Sequence, residues 1–539
     1  MDIAHLQTQR LEERARSTGE FNDLACFYGA KRDWQGLHKL EEPASQEGRR
    51  PSLAFELLTL EDKGGDFSSL VDRVGEEPGA WPVYTLAKAM LARGLVHDAI
   101  GLVERRLQAR NRDVTVANLL VKHLVNQGER GAALDLANIS LQLAPNQRDI
   151  EEIRTALDSG REQHFELYLD VFPKPASISF YLPVYNVEEH IAAAIEGLLS
   201  QNHPLSEILV VNDGTQDDSM AIARRYPVRI VEHSENRGLA AARNTAIRHS
   251  SAEFVGALDS DARPAADYTR NVLMEFENVS ARVAGVGGRL LEENVGTAAD
   301  RWRAQYLSQD WGEVRMYPPP FLYGSNTVFR RDAVLRAGGY DEKYRTNSED
   351  GDLCRKLRAA GLDYLYTPCA VAHHMRRDTA ASVLNTRWNW AFWGKQESGL
   401  YDDPAALPDH LRQVLTDGAG FMRLDREAQR QELLYIDFLF VFHEILKDVE
   451  WCARNQVLPP EETQWIQESL LERVRSLDSR FGSELERKIR RDLETLIRPS
   501  VPSNHKPDPG LREGVARFLA EFDAYCREIS REVYAVLAA

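Results

Sequence analysis

Three places in the chain set groups capable of chemistry beside one another: Asp259-Ser260-Asp261, Glu349-Asp350 and His373-His374. Two carboxylates separated by one small residue can hold a hard divalent cation through oxygen and leave coordination positions open for phosphate. A solvated turn in an acidic chain shows the same Asp-x-Asp, so the pattern has to be read with its neighbours. Glu349, Asp350 and Asp352 follow Asn347-Ser348, either of which can cap a helix. Acid in the first turn of a helix is favourable whether or not it does chemistry. The two histidines close an apolar run, DYLYTPCAVAHH, where a one-residue shift in register exchanges the faces they occupy.

These groups have to be positioned by strands whose mouths share one edge of a sheet. In AEFVGALDSDA (252 to 262), Phe254, Val255, Ala257 and Leu258 suit a strand covered on both faces. Ligands of open α/β sheets sit beyond the carboxyl ends of such strands. ISFYLPVYN reads as a strand running into a turn, and EEHIAAAIEGLLSQ then carries apolar residues at helical spacing. EILVVNDGTQDDS adds a strand with Asp213 at its mouth and Gly214 turning the chain, and VRIVEHSENRGLAAARNTAI repeats the unit with Gly238 at the helix entry. Strand, helix and strand joined by short turns predict a parallel sheet. That sheet would gather Tyr185, Glu188, Asp213, Asn236, Arg243, Asp259 and Asp261 on one edge. Gly285-Val286-Gly287-Gly288 lacks the third glycine of a dinucleotide-binding turn and is expected to be a tight turn between strands.

The 539 residues, 43% of them hydrophobic, are too many for one core and predict two to four globular domains. Lys and Arg total 66 against 83 Asp and Glu, a net charge of −17, which argues against nucleic-acid and anionic-lipid partners. Such an acidic chain is expected to bring a cation to any phosphate it binds. Five scattered cysteines without metal-ligand spacing fit reduced thiols in a cytoplasmic protein. No signal core is present, and the most apolar run, LLYIDFLFVFHEIL, is short and interrupted by Asp437, His443 and Glu444, so no membrane span is expected.

PVYN, VVNDGTQDD, ENRGLAAARN and ALDSDA, in this order, resemble the nucleotide-sugar half of family-2 glycosyltransferases of the GT-A fold. The resemblance implies an α/β core using a nucleoside-diphosphate sugar, expected to be UDP-linked, with Mn²⁺ or Mg²⁺. On that pattern Pro183, Tyr185 and Glu188 border the nucleoside, Asp213 accepts from the base, Asp259 holds the ribose and Asp261 binds the metal. Asn236 and Glu349 join the nucleotide-sugar site, and Arg243 either steadies the pyrophosphate or pairs with Asp259. FLYGSNTVFRR and AGGYDEKYRTNSEDGDLCRKLRAAG resemble the acceptor half, with Asp350 mapping onto the general base of an inverting displacement. The family's metal-side histidine, six residues after a proline, falls on His374 when counted from Pro368, with His373 the alternative. Asn212 stands where many relatives have a second acid. Leu384 stands where processive synthases carry a glutamine before Arg387-Trp388, which disfavours a polymerising enzyme.

The flanks are read from pattern. Lys31 to Leu37, Gly64 to Leu70, Gly94 to Ile100 and Gly128 to Leu134 each set a turn six residues before an aliphatic, resembling tetratricopeptide repeats in a solenoid-like domain over 1–170. Such helix pairs offer a groove for a polypeptide or a platform for the next domain. On the first reading the acceptor is a protein, such as a flagellar or surface subunit, with a soluble glycan as runner-up. A glycosyltransferase domain is expected over 176–395. A helical region over 396–539 follows, built from LLYIDFLFVFHEILKDVEWCARN, WIQESLLERVRSL, ELERKIRRDLETLI and VARFLAEFDAYCREISREVYAVL, which could bind acceptor, dimerise or only stabilise. Two rivals are a nucleotidyltransferase, which would want a Gly- and Lys-rich phosphate loop near the first strand, and a catalytically silent nucleotide-binding scaffold.

Overall fold

Apolar runs that end in polar turns become the strands of an eight-stranded sheet in a computed structural model that describes residues 3–18, 21–40, 53–63, 65–74, 79–109, 113–399, 401–478 and 509–538. The strands are β1 (Ile178–Val184), β2 (Glu207–Asn212), β3 (Arg229–Glu232), β4 (Phe254–Leu258), β5 (Ala262–Pro264), β6 (Val283–Glu292), β7 (Asn326–Arg330) and β8 (Asp363–His374), in the order β3-β2-β1-β4-β7-β6-β8-β5. Four of them, β3, β2, β1 and β4, are parallel, as strand-helix-strand units require. The expectation of a parallel sheet holds only for this half. β7 enters antiparallel between β4 and β6, β6 and β8 run parallel, and β5 returns antiparallel on β8, so the sheet is mixed. Every residue of β1 and β4 is buried, which explains their unbroken apolar sequences.

The glycine run at 285–288 lies inside β6 and is no turn. A methyl group at Gly288 would stand 2.3 Å from the Ala370 carbonyl of β8, and one at Gly285 would stand 2.6 Å from the Phe329 ring of β7. Glycine is needed there for close packing across the sheet.

By its contacts the chain forms two compact units, Met1–Glu293 with Gln309–Arg376, and Asn294–Ser308 with Arg377–Ala539. In the first, the N-terminal region is helical, and its helices turn at Gly94 (φ 74°) and Gly128 (φ 77°). The expected turn at Gly64 lies outside the described residues. Residues Ala80 to Leu91 and Thr115 to Leu124, in the helices that precede the turns at Gly94 and Gly128, are buried along every face. The helix Tyr268–Glu277 of the sheet domain, itself wholly buried, packs with them. Lys88 meets Glu277 at 2.7 Å, Lys122 donates to the Asn278 carbonyl, Arg270 lies 4.3 Å from the Trp81 ring centroid, and Arg315 pairs with Asp149. Through these contacts the N-terminal helices pack against the sheet domain.

The second unit is helical. Its long helix Leu434–Arg454 covers the run expected to be amphipathic but is buried on every face from Leu434 to Leu446, and it packs Phe438 and Phe442 with Phe518 and Phe522 of Pro509–Ala538. The expected helix over ELERKIRRDLETLI lies outside the described residues. Among the described residues no helix is long and apolar enough to cross a membrane.

Candidate active site

The parallel register brings Val184, Asn212 and Glu232 level at the ends of β1, β2 and β3. Tyr185 leaves β1 half exposed. Beyond it Asn186 (φ 54°) accepts from the Gln216 amide and the Thr215 hydroxyl. Glu188 accepts from the Asp218 amide at 2.9 Å and donates its own amide to Asp217. The Pro183 carbonyl accepts a hydrogen bond from Ser260 at 2.5 Å, which ties the end of β1 to the Asp-Ser-Asp turn. The stretch 183–188 and the loop 215–218 are thus one stitched wall with an aromatic ring on its rim.

Asp213 is buried and already engaged. Its carboxylate accepts from the amides of Arg237 (2.9 Å) and Gly238 (2.8 Å) and meets His233 Nδ1 at 2.7 Å. A carboxylate offers about four acceptor positions, so a nucleobase would have to use the one left over. The loop it fixes carries Asn236, whose side chain and carbonyl both accept from Arg345. Gly238 (φ 95°) passes so close to the 345 backbone that a methyl group would sit 2.8 Å from the Arg345 carbonyl.

Arg243 is wholly buried, and the structure gives it two partners, Asp259 at 2.9 Å and Glu349 at 2.6 Å. Of the two roles open to it, the structure shows the ion pair. Gly324 makes room for its guanidinium, since a methyl group there would stand 2.0 Å from a guanidinium nitrogen. Burial lowers the tendency of Arg243 to stay charged, but Glu349 and Asp259 outweigh it and its pKa rises. Burial also pushes Glu349 up to about 7 against the pull of Arg243, with Asp350 adding to the rise. Burial raises Asp259 too, although Arg243 opposes it and neighbouring Asp261 reinforces it. Glu349, at 3% side-chain exposure, is a buried link in this chain of charges and has no direct surface for nucleotide.

The two histidines differ in their surroundings, since successive residues of β8 face opposite sides of the sheet. His374 lies opposite Ala262 of β5 and Glu292 of β6, buried, with Nε2 3.3 Å from an Asp261 oxygen and Nδ1 2.9 Å from Glu292. His373 occupies the other face of β8, and burial followed by Arg263 lowers its pKa. Burial disfavours charge on His374, but Asp261 and Glu292 overcome it and lift its pKa to about 10. Burial would raise Asp261 as well, and His374 reverses that and holds it below the usual carboxylate range. A cation held by two cis ligands at about 2.1 Å from each needs donors about 3 Å apart, so the spacing of Asp261 and His374 fits. A histidine whose second nitrogen rests on a carboxylate is the usual oriented ligand. Among the described residues no cluster of three or more His, Cys, Asp or Glu could hold a metal alone, so substrate oxygens would complete such a shell.

Asp350 opens the helix Glu349–Ala359. Capping by Ser348 or Asn347 side chains is not observed; both residues take left-handed backbone (φ 69° and 66°), and no side-chain cap bond is made. Two such non-glycine residues in succession are strained, as segments that aim functional groups often are. Partly exposed Asp350 accepts from the Gly324 amide at 3.1 Å and the Gly351 amide at 2.7 Å. The Ser325 carbonyl, one residue beyond Gly324, accepts from the Asp259 amide, so the loop spans both acidic motifs.

The arrangement is an acid-and-histidine pair suited to a cation, a ring-bearing wall beside it, and a second carboxylate reached through Arg243 and the 324–325 loop. Residues 179–336 match the family model described as Glycosyl transferase family 2. The chain contains a glycosyl transferase family 2 domain. Over 259 residues it is 28% identical to the pre-mycofactocin glycosyltransferase of Mycobacterium tuberculosis, covering 46% of this chain and 52% of that one. It is 33% identical over 132 residues to glycosyltransferase AglE of Haloferax volcanii, covering 23% and 43%. It is also 25% identical over 228 residues to the poly-beta-1,6-N-acetyl-D-glucosamine synthase of Staphylococcus epidermidis, covering 41% and 55%. The chain spans about half the length of these curated relatives. With its mixed sheet, the matched domain is a GT-A-like core between helical regions.

Glu292, His233 and Arg345 escaped the sequence reading. Glu292 carried a usable signal, an acid closing the apolar run VAGVGGRLLE as Asp259 closes its own strand. His233 and Arg345 sit in polar loops with no such mark.

Proposed function

We propose that the chain is a metal-dependent inverting glycosyltransferase that moves a sugar from a nucleoside diphosphate, UDP in the first instance, to an acceptor hydroxyl. The observation that carries this reading is the Glu292–His374–Asp261 relay at one end of the Asp259–Arg243–Glu349 ion-pair chain, with Asp350 at the other end. Asp261 and His374 would hold Mn²⁺ or Mg²⁺, which when bound supplies positive charge against the departing diphosphate. Tyr185 offers a ring face to the base, Glu188 and the Pro183 segment shape that wall, and Asp213 keeps one acceptor position for the base. Asp259, held by Arg243 on one oxygen, keeps the other for the ribose. Asp350, steadied by two amides, takes the proton of the attacking hydroxyl, and displacement on one face inverts the anomeric carbon. Arg243 and Glu349 are positioning residues that keep the donor and acceptor motifs in register.

The protein acceptor drew its support from an open groove, and the helices that would line one are buried against the sheet domain. A saccharide acceptor is the better reading, in keeping with a relative named for making a glucosamine polymer. The test is hydrolysis of a panel of UDP-, GDP- and dTDP-sugars by the full chain with Mn²⁺. Metal-dependent release of a nucleoside diphosphate from one donor is expected. An unchanged rate after EDTA treatment would overturn the metal assignment, and no turnover of any donor would overturn the activity.

A further inference from the structure

The loop that holds Asp213 and the helix that carries Asp350 meet along a seam between residues 236–244 and 340–345. Buried Asn244 accepts from the Tyr340 amide at 2.9 Å and donates to the Tyr340 carbonyl at 2.8 Å and to Glu342 at 3.1 Å. Glu342 also receives Arg237 at 2.9 Å. The Leu239 amide, left without an intrahelical partner at the start of the helix Leu239–His249, donates to the Arg345 carbonyl at 2.6 Å. The Arg345 side chain is exposed, and its Nη2 alone donates to both the carbonyl (2.8 Å) and the side-chain oxygen (2.7 Å) of Asn236. On one side of the seam lie the Arg237 and Gly238 amides that bind Asp213. On the other, Thr346 and the left-handed pair Asn347-Ser348 are all that separate Arg345 from Glu349-Asp350.

Non-glycine residues keep left-handed backbone only where the surrounding structure over-determines it. Downstream of Asn347 and Ser348, the helix Glu349–Ala359 and the Gly324 amide on Asp350 supply the fixed end. Upstream, Arg345 is held through its carbonyl and its guanidinium alike. An exposed side chain contributes little to global stability, so the consequence of this grip is geometric: it sets where the strained turn begins and thereby the direction in which Asp350 leaves it. We infer that Arg345 is a positioning residue for the proton acceptor Asp350, fixing the start of its helix against the loop that holds Asp213. The buried Arg243 pairs tie Asp259 to Glu349 from within, and Arg345 ties the same helix start to Asn236 from the surface. The inference rests on the proposed glycosyltransferase reading and adds to it a residue that touches none of the reacting atoms.

The experiment follows donor hydrolysis by the full chain with Mn²⁺, using the sugar nucleotide found active in the donor panel. Water then takes the acceptor's place, attacks the anomeric carbon as the bond to the diphosphate breaks, and gives its proton to Asp350. Arg345→Ala should lower kcat roughly tenfold with the thermal transition unchanged. The calorimetric Kd of the matching nucleoside diphosphate with Mn²⁺ should stay within about threefold of the parent. Arg345→Lys, whose one ammonium can donate to both Asn236 oxygens, should return kcat to within about threefold. In an Asp350→Asn background Arg345→Ala should cost nothing further, since a residue acting through Asp350 has nothing left to position. Glu342→Gln, which loosens the Arg237 tie on the same seam, should leave kcat within about threefold of the parent. A parent rate in Arg345→Ala, a further tenfold loss in the double variant, or an equal loss in Glu342→Gln would each overturn the role. Donor affinity falling in step with kcat would overturn it too, by making Arg345 a donor contact. If the parent chain turned over no donor, the glycosyltransferase reading would fail and take this inference with it.

Discussion

Two clusters of buried acid in this molecule look alike in composition and differ in how far they are satisfied. In the C-terminal helical unit, Asp448 is fully buried and receives Lys395 (2.9 Å), Trp388 (2.7 Å), Tyr401 (2.7 Å) and His410 (2.6 Å), while Lys395 also holds Glu444. Burial alone would raise Asp448, yet the His410 bond and Lys395 hold it at about 2. In the sheet domain, Asp259 and Asp261 keep 30% and 24% of their side-chain surface, Asp259 paired with Arg243 and Asp261 with His374. A closed cluster stabilises the fold it sits in; an open one retains acceptor capacity for something that arrives later. The two should therefore fail in opposite ways when a charge is removed.

The sharpest contrast comes from Asp261→Asn and Asp448→Asn. The first keeps the shape of an exposed carboxylate and should leave the unfolding transition unchanged while lowering sugar transfer by about 10³-fold or more, the scale expected when charge stabilisation is lost at a reacting centre. The second turns an amide donor toward Lys395, Trp388 and His410 and leaves buried Lys395 with Glu444 alone as counter-charge. It should cost roughly 3–5 kcal/mol in denaturant unfolding and leave the rate per folded molecule intact. If Asp261→Asn unfolded the protein, or Asp448→Asn abolished turnover at full stability, the division into closed and open clusters would be wrong.

Asp350 refines the same division within the site. Asp350→Asn keeps an acceptor for the Gly324 amide but cannot take a proton, so the transfer rate should fall by about 10²-fold while donor affinity, measured calorimetrically, stays within a factor of about three. Loss of donor binding in step with rate would move Asp350 from the acceptor to the nucleotide side.

The closed and open clusters were not equally legible in the sequence. Asp213, Asp259, Asp261 and Asp350 stand at strand mouths or a helix start, positions that local patterning marks, and the family resemblance, counted from Pro368, pointed to His374 with His373 as the alternative. Their partners were not marked, because pairing is set by register: Glu292 meets His374 across 82 residues only when β6 and β8 align. The glycines at 285–288 were misread because a turn and a tightly packed central strand both demand glycine, and only the neighbours Ala370 and Phe329 tell them apart. The two fully buried N-terminal helices did carry a sign. WPVYTLAKAML and TVANLLVKHL are apolar on nearly every face, which a helix lining an open groove is not. The Asp448 cluster left no signal, since its donors come from two helices and the loop at Tyr401.

The smallest expected effect separates a third kind of buried acid. Asp437 accepts from the Trp302 indole at 2.8 Å, and among the described residues no cation is bonded to it; burial, only partly offset by that bond, with Asp425 adding repulsion, pushes it up to about 8. Its unfolded value is near 3.9, so between about pH 4 and pH 8 the folded state binds the extra proton. A carboxyl raised in the fold adds stability that is complete below the unfolded value and is lost as pH rises through the folded one. The helical unit should therefore weaken progressively from pH 4 to pH 8 through this residue, by no more than about 1.4 kcal/mol per pH unit for a single proton. Asp437→Asn, neutral at every pH, should match the parent near pH 4 and exceed it increasingly up to pH 8. Hydrogen exchange of the 434–454 amides at a series of pH values, corrected for intrinsic exchange, measures this directly. An Asn variant whose advantage is constant across the range would show that Asp437 is ionised throughout and belongs with the satisfied acids around Asp448.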